Sequence, residues 1–300
     1  MKICLSCGHR FASRGWRCSD CGATPQQIGG YYAFAPALAR HSDGFSADFF
    51  PSLFQLESGH FWFATRNRII LWGLQKYLPQ TRTFFEVGCG TGFVISSLAR
   101  ALPSLQLSAS EILVTGLNFA AGRAPRAEMF QMDARSIPFD SEFDAIGAFD
   151  VIEHIEEDDV VLREIWRALK PGGGVLLTVP QHPFLWSPLD DVSFHKRRYT
   201  SLELGARLRQ AGFEVLHMTS FVSLLLPLML LSRMQYKIQN HKSSFDELRI
   251  SPAMSRLFSV VSRLEEWLIK RDISLPAGGS LFAIARRPPG GDGLPAGEYA

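Results

Sequence analysis

Thr83-Phe84-Phe85-Glu86-Val87-Gly88-Cys89-Gly90-Thr91-Gly92-Phe93 is the stretch that decides the fold of this chain. A short apolar run, which reads as a strand over 83–87, meets three alternating glycines, and a helical pattern follows over 92–101. Glycines at a strand exit let the backbone turn sharply and let a ligand lie against bare main chain. The spacing is Gly-x-Gly-x-Gly, and Glu86 stands two residues before the first glycine. Pyrophosphate at the helix start would be repelled by that carboxylate, whereas a ligand with a cationic amino group would be held by it. Cys89, inside the turn, reads as a small hydrophobe filling space.

Outward from this turn, strand patterns over 83–87, 105–110, 127–131, 144–149 and 174–179 alternate with helical patterns over 92–101, 113–121 and 157–169. Strands spaced by helices imply right-handed crossovers and a mostly parallel sheet. Upstream, Ile69, Ile70, Gly73, Leu74, Tyr77 and Leu78 lie on one face of a helix running from about Phe61, and Pro79 ends it. Of 300 residues 46% are hydrophobic and 20% charged, which excludes wholesale disorder. A net charge of only +2 offers no basic field for nucleic acid. The start, Met1-Lys2-Ile3-Cys4, lacks the apolar stretch of a secretion signal, and no run of about 18 apolar residues reads as a membrane span. The expected compartment is therefore the cytoplasm.

Cys4, Cys7, Cys18 and Cys21 form two Cys-x2-Cys pairs ten residues apart. In a reducing compartment this spacing predicts four thiolate ligands to one structural Zn2+. Gly8 and Gly22 follow the pairs, where knuckle turns favour positive φ. Four thiolates and one Zn2+ bring the net charge from +2 to about zero. With every coordination position filled by sulfur, the module is a structural or protein-docking element and not a catalytic one.

Glu86 to Gly92 resembles the first motif of class I S-adenosylmethionine-dependent methyltransferases, and the likeness continues over roughly 60–200 and returns near 275–287. The resemblance implies that Glu86, Gly88, Gly90 and Gly92 cradle S-adenosylmethionine and that Glu111, closing Ser110-Glu111, holds the two ribose hydroxyls. Glutamate there departs from the family's aspartate and shifts the reach. The resemblance places Asp133, within Met132-Asp133-Ala134, against the adenine amino group, with Ala134 beside it. The segment Phe149-Asp150-Val151-Ile152-Glu153-His154 matches the fourth strand and its loop and adds Asp150 to the cofactor side. Leu169 to Gly174 matches the turn before the fifth strand. The resemblance further implies an α/β fold with a doubly wound, seven-stranded, mostly parallel Rossmann-like sheet whose last strand, near Ser280 to Ala285, enters antiparallel.

Methyl transfer is an in-line displacement, so the protein mainly aligns and desolvates the reactants. A base is needed only where the acceptor carries a proton to remove. The loops beyond the strands' carboxyl ends, where such ligands bind, offer His154, His182 and His195. His195 with Asp190 or Asp191 could form a base with its orienting carboxylate; equally, Arg197 and Tyr199 could make this loop a clamp. Arg197 and Arg198 could meet a phosphate or carboxylate on the acceptor. His60-Phe61-Trp62-Phe63 with Arg66 resembles a helical cap over the cofactor. The apolar run 221–231 is too short to span a bilayer; it reads as a lid, a peripheral membrane contact or a buried segment packed on the stripe Met254, Leu257, Phe258, Val261, Leu264 and Leu268.

The expected organisation is a zinc ribbon over 1–30, a linker and helical cap over 31–80, the cofactor-binding core over 81–184, a helical substrate lid over 185–275, a closing strand over 276–287 and a disordered tail over 288–300. The expected activity is methyl transfer to a small-molecule or lipid-linked acceptor. An RNA methyltransferase whose ribbon binds RNA through Lys2, Arg10, Arg14 and Arg17 is the second reading, and a non-catalytic cofactor-binding adaptor the third.

Overall fold

The computed structural model describes residues 1–42, 44–239 and 250–290. In chain order they form β1 (Lys2–Ile3), β2 (Arg10–Phe11), β3 (Gln26–Ile28), β4 (Tyr31–Ala33), α1 (Phe50–Glu57), α2 (Phe61–Tyr77), β5 (Thr83–Val87), α3 (Phe93–Ala101), β6 (Gln106–Glu111) and α4 (Val114–Arg123). They continue with β7 (Glu128–Gln131), β8 (Phe143–Phe149), α5 (Asp158–Ala168), β9 (Leu169–Pro180), α6 (Pro188–Val192), α7 (Ser201–Gln210), β10 (Glu214–Phe221), α8 (Leu226–Gln239), α9 (Pro252–Ile269) and β11 (Ser280–Arg286).

One sheet runs β10-β11-β9-β8-β5-β6-β7-β4-β3. Strands β5 to β9 pair in parallel, and β11 enters antiparallel between β9 and β10. β5 is central and both of its faces are covered, so it is mostly apolar apart from Glu86 near its carboxyl end. Phe85 packs on one side with Ile146, Ile165 and Leu177. Phe84 packs on the other with Ile70, Ile95 and Phe282.

The sheet has nine strands, not the seven expected. The hairpin β3–β4 extends the open edge of β7, with Tyr32 opposite Phe130 in parallel. Part of 1–30 therefore belongs to the sheet. The cysteine module is docked as well: Ile3 N–H donates to the Pro138 carbonyl at 2.9 Å and Asp140 N–H to that of Met1 at 2.8 Å. Trp16 is buried with its ring centroid 4.6 Å from Phe34 and 5.4 Å from Phe139.

The expected helical lid over 185–275 needs correction too, because it contains β10, a strand of the main sheet. Nor does the stripe on α9 pack wholly inward. Met254, Leu257 and Leu264 face solvent together with Val260 and Trp267, while Ser255, Ser262, Glu265 and Glu266 are buried. The buried polar groups fasten the helix: Glu265 accepts from the amides of Ser223 and Leu224 at 2.7 and 2.9 Å, and Glu266 takes the guanidinium of Arg68. Of the expected tail, residues 291–300 lie outside the described residues.

Candidate active site

A cavity of about 480 Å³ opens beyond the carboxyl ends of β5, β6, β7 and β8. Its floor is the turn after β5. Gly88, at φ +67°, has no room for a side chain: a Cβ would stand 2.6 Å from Val151 Cγ2. Gly92, at φ +77°, lies against α4, where a Cβ would come within 2.6 Å of Ala120 Cα. Gly90 is also left-handed, at φ +54°, but a Cβ there would meet nothing within 4 Å. Two glycines thus let the elements close up, and the third leaves bare main chain facing the cavity. The roof comes from the segment around Phe45, from α1 and from the start of α2. Buried Glu57 on α1 is ion-paired with Arg123 on α4 and bonded to Thr91 of the glycine turn. These partners are far apart in sequence, and no spacing pointed to them.

Glu86 lines the cavity, is buried, and its Oε2 has no hydrogen-bond partner. Burial pushes its pKa up to about 8, against the pull of Arg66. A buried acceptor without a donor is costly unless a ligand supplies one. S-adenosylmethionine carries such a donor, its cationic amino group, so the residues present fit it. Glu111 Oε2 accepts from Gly90 N–H at 2.9 Å, and its Oε1 accepts from the amides of Ile112 and Leu113 at 2.9 and 3.2 Å. These bonds fix the carboxylate at the cavity wall; Oε1 has both acceptor sites filled and Oε2 keeps one for a ligand.

Asp133 and Ala134 also line the cavity. The Asp133 carboxylate is forked by Arg135, with Nη2 to Oδ2 at 2.7 Å, so an adenine amino group would share it with a guanidinium. Asp150, at φ +57°, lines the wall as well. It is ion-paired with Arg66 at 2.6 Å and accepts from Thr178 Oγ1 at 2.9 Å. Arg66, read earlier as part of a cap, thus pairs with Asp150 and pulls on Glu86, one of three cationic side chains lining the cavity with Arg135 and Lys196.

At the other end His154 and His195 line the cavity, with ring centroids 4.7 Å apart and planes at 78°. Burial, reinforced by His195, holds the pKa of His154 down near 3, which keeps that imidazole neutral. Between Asp190 and Asp191 the geometry is unambiguous. Asp190 Oδ1 meets His195 Nδ1 at 2.8 Å, whereas Asp191 accepts from Trp186 Nε1. Asp190 is fully buried, forked by Arg198 at 2.8 and 2.9 Å, and bonded to the Ser187 amide in a capping box on α6. Burial opposes its ionisation, yet His195 and Arg198 hold its carboxyl well below the usual range.

The clamp is present too. Arg197 pairs with Asp158 at 3.1 Å, and Tyr199 donates to the same carboxylate at 2.6 Å. Arg197 and Arg198 are therefore engaged within the protein instead of facing an acceptor. His182 does not line the cavity and stacks on Phe184.

In the cysteine module, ligand atoms of Cys4, Cys7, Cys18 and Cys21 lie within 4.8 Å of one another. The Sγ pairs Cys4–Cys21 and Cys7–Cys18 are 3.6 and 3.8 Å apart. Tetrahedral Zn–S bonds would set about 3.8 Å. Gly8 and Gly22, both at φ +75°, donate to the carbonyls of Cys4 and Cys18, which makes two matching knuckles.

Comparisons with known proteins agree with this geometry. Residues 85–177 match the model of a methyltransferase domain. A probable S-adenosylmethionine-dependent methyltransferase of Mycolicibacterium smegmatis is 28% identical over 167 residues, 53% of this chain and 62% of the relative. A fatty-acid O-methyltransferase of the same organism is 38% identical over 96 residues, 31% of this chain and 35% of the relative. Among solved structures, the 4+2 cyclase SpnF superposes with a TM-score of 0.52 at 26% identity, covering 76% of this chain and 83% of that one. Residues 85–177 therefore carry a methyltransferase domain, and the chain is similar to S-adenosylmethionine-dependent methyltransferases. The chain spans less than two thirds of the length of either relative.

Protonation of Glu86 gives a testable pH dependence. A cationic ligand needs the carboxylate, so binding releases a proton wherever free Glu86 is protonated. Affinity for S-adenosylmethionine should rise as pH goes from 6 towards the raised pKa of about 8 and fall at higher pH, where the ligand's amino group loses its proton. Titration calorimetry in buffers of different ionisation enthalpy should show proton release in the wild type and none from this group in Glu86→Gln. A flat pH profile in the wild type would contradict the assignment.

Proposed function

We propose that the protein transfers the methyl group of S-adenosylmethionine to a small-molecule or lipid-linked acceptor. The observation that carries this reading is the unpartnered Glu86 Oε2 above a bare glycine turn. Bound S-adenosylmethionine supplies an electrophilic methyl group on a sulfonium. Glu86 binds its amino group, Gly90 leaves bare main chain for it to approach, Gly88 and Gly92 let the surrounding elements close up, and Glu111 holds the ribose hydroxyls. Asp133 and Ala134 border the adenine. Asp150 acts through Arg66, which it positions. The roof formed by Phe45, α1 and the start of α2 excludes water from the reacting end. His195, oriented by Asp190, and neutral His154 receive the polar end of the acceptor. Incubation with methyl-labelled S-adenosylmethionine and a panel of hydroxy- and carboxylipids tests the reading; labelled product is expected, and cofactor binding with no product from any acceptor would favour the adaptor reading.

The relative named for fatty-acid O-methylation supports an apolar acceptor. So does the outward face of α8 and α9, where Leu228, Leu231, Leu257, Val260, Leu264 and Trp267 are exposed. Arg256, Arg263, Lys270 and Arg271 are exposed along α9 and just past its end, while Glu265 and Glu266 are buried. An apolar stripe flanked by cations suits an anionic lipid surface; Phe221, Val222 and Leu225 are buried, and we read the exposed leucines of 224–231 with α9 as a peripheral membrane contact. Among the described residues no helix is long and apolar enough to cross a membrane. Flotation with phosphatidylglycerol vesicles should carry the wild type upward, and Leu257→Glu/Leu264→Glu should stay at the bottom. Equal flotation of both would contradict this contact.

We assign a structural Zn2+ to Cys4, Cys7, Cys18 and Cys21. The RNA reading loses ground because Lys2 is spent on the carbonyls of Ser13, Arg14 and Gly15, and Arg10 on Asp140. Through Trp16 the module instead braces the β3–β4 edge, and a protein partner would have only its outer face. Cys18→Ser should lose one equivalent of zinc by mass spectrometry and increase proteolysis before residue 30, with the core left folded. Unchanged zinc content would contradict the ligand set.

A further inference from the structure

We infer that Glu153, His154 and His195 form a divalent-metal site at the acceptor end of the cavity, separate from the four-cysteine module. One ligand atom from each of the three side chains lies within 4.8 Å of the others. The residues come from two loops that are tied together, since Lys196 N–H donates to the Glu153 carbonyl at 2.7 Å. Glu153 is fully buried, and neither of its carboxylate oxygens has a hydrogen-bond partner; His154 Nδ1 has none either. Buried polar atoms left in this state call for a ligand that supplies the missing interaction.

The charges around the site point to a cation. Arg66 is ion-paired with Asp150 and Arg198 with Asp190, so each nearby guanidinium is committed to another carboxylate. Of the carboxylates of Asp150, Asp190 and Glu153, that of Glu153 is the one with no cationic partner within ion-pair distance among the described residues. His195 is built as a metal-binding histidine usually is. Its Nδ1 faces the carboxylate of Asp190 at 2.8 Å, which fixes the ring and leaves Nε2 for the metal. Asp190 is itself held by Arg198 and Ser187, so the ring sits in a rigid frame.

Two imidazoles and one carboxylate suit Zn2+, Mn2+ or Fe2+ better than Ca2+ or Mg2+, which prefer oxygen ligands. Three protein ligands leave coordination positions open, in contrast to the closed four-sulfur module. Because His154 and His195 line the cavity, the open side faces the place where an acceptor would lie. The site therefore favours acceptors with a hydroxyl or carboxyl oxygen able to reach the metal. That choice of acceptor rests on the methyltransferase reading; the presence of the metal does not.

The test uses the full chain, stripped with a chelator under reducing conditions and reloaded with Zn2+ or Co2+ alone. Wild type should hold two equivalents by mass spectrometry, and Glu153→Gln and His195→Ala one each, the one in the cysteine module. Cobalt spectra should show thiolate charge-transfer bands in all three proteins, with the weaker bands of a nitrogen–oxygen site only in wild type. Mn2+ titration of the wild type, followed by electron paramagnetic resonance, needs no variant and should show one bound ion that Zn2+ displaces. A wild type that holds a single equivalent and binds no Mn2+ overturns the site, as do variants that keep two. Calorimetry with S-adenosylmethionine on the same samples separates the two readings: cofactor binding with one metal sinks only the metal site, and two metals without cofactor binding sink only the methyltransferase reading.

Discussion

Gly90→Arg should lower affinity for S-adenosylmethionine by roughly 100-fold or more, about 2.7 kcal/mol, while the protein stays folded. The expectation follows from the different surroundings of the three glycines. A side chain at Gly88 or Gly92 would strike Val151 or the backbone of Ala120 and disturb the fold itself. At Gly90 there is space within 4 Å, and that space is the floor of the cavity. The left-handed φ of +54° adds a conformational cost of about 1 kcal/mol, which a domain of this size can bear. Circular dichroism and thermal melting report the fold, and calorimetry reports the ligand. Retained affinity in a folded Gly90→Arg would place the cofactor elsewhere.

His195→Ala should reduce kcat by roughly 100-fold or more and leave the dissociation constant of S-adenosylmethionine within a factor of about two. Its ring bonds Asp190, and no hydrogen bond or ion pair among the described residues joins it to Glu86 or Glu111, so cofactor binding is not expected to depend on it. Asp190→Asn should act on catalysis and stability together. It leaves the buried guanidinium of Arg198 without its counter-charge, a change that costs about 3 kcal/mol or more in such pairs. His195→Ala lacks that stability penalty, because Asp190 keeps its fork with Arg198. If His195→Ala turned over like wild type, the acceptor end would have to be sought outside this pair of histidines.

The central strands were legible because they are covered on both faces. Five of them, from 83–87 to 174–179, read as apolar runs bounded by turns, and the glycine turn located the cofactor end. β10 was not legible. It lies at the edge, mixes polar and apolar residues, is half exposed over much of its length and carries an irregularity between Val215 and His217. β3 and β4 are three residues each and become strands only because β7 offers an edge. The helical period of α9 was plain, but which face turns inward was not, since Ser255, Glu265 and Glu266 find partners on α2 and around 223 that sequence does not show. In the site, Glu86 stood out by its place two residues before the first glycine and Glu111 by the family resemblance, and both line the cavity. The choice of Asp190 over Asp191 depended on a capping box, and Arg66 with Asp150 on a pairing across 84 residues.

The position of the methyl donor decides how this cavity works. A crystal structure with S-adenosylhomocysteine is predicted to show its amino nitrogen within hydrogen-bond distance of Glu86 Oε2, its ribose hydroxyls on Glu111 and its sulfur turned towards His154 and His195. A ligand bound with its adenine against Glu86, or a nicotinamide nucleotide taken up in its place, would contradict this placement.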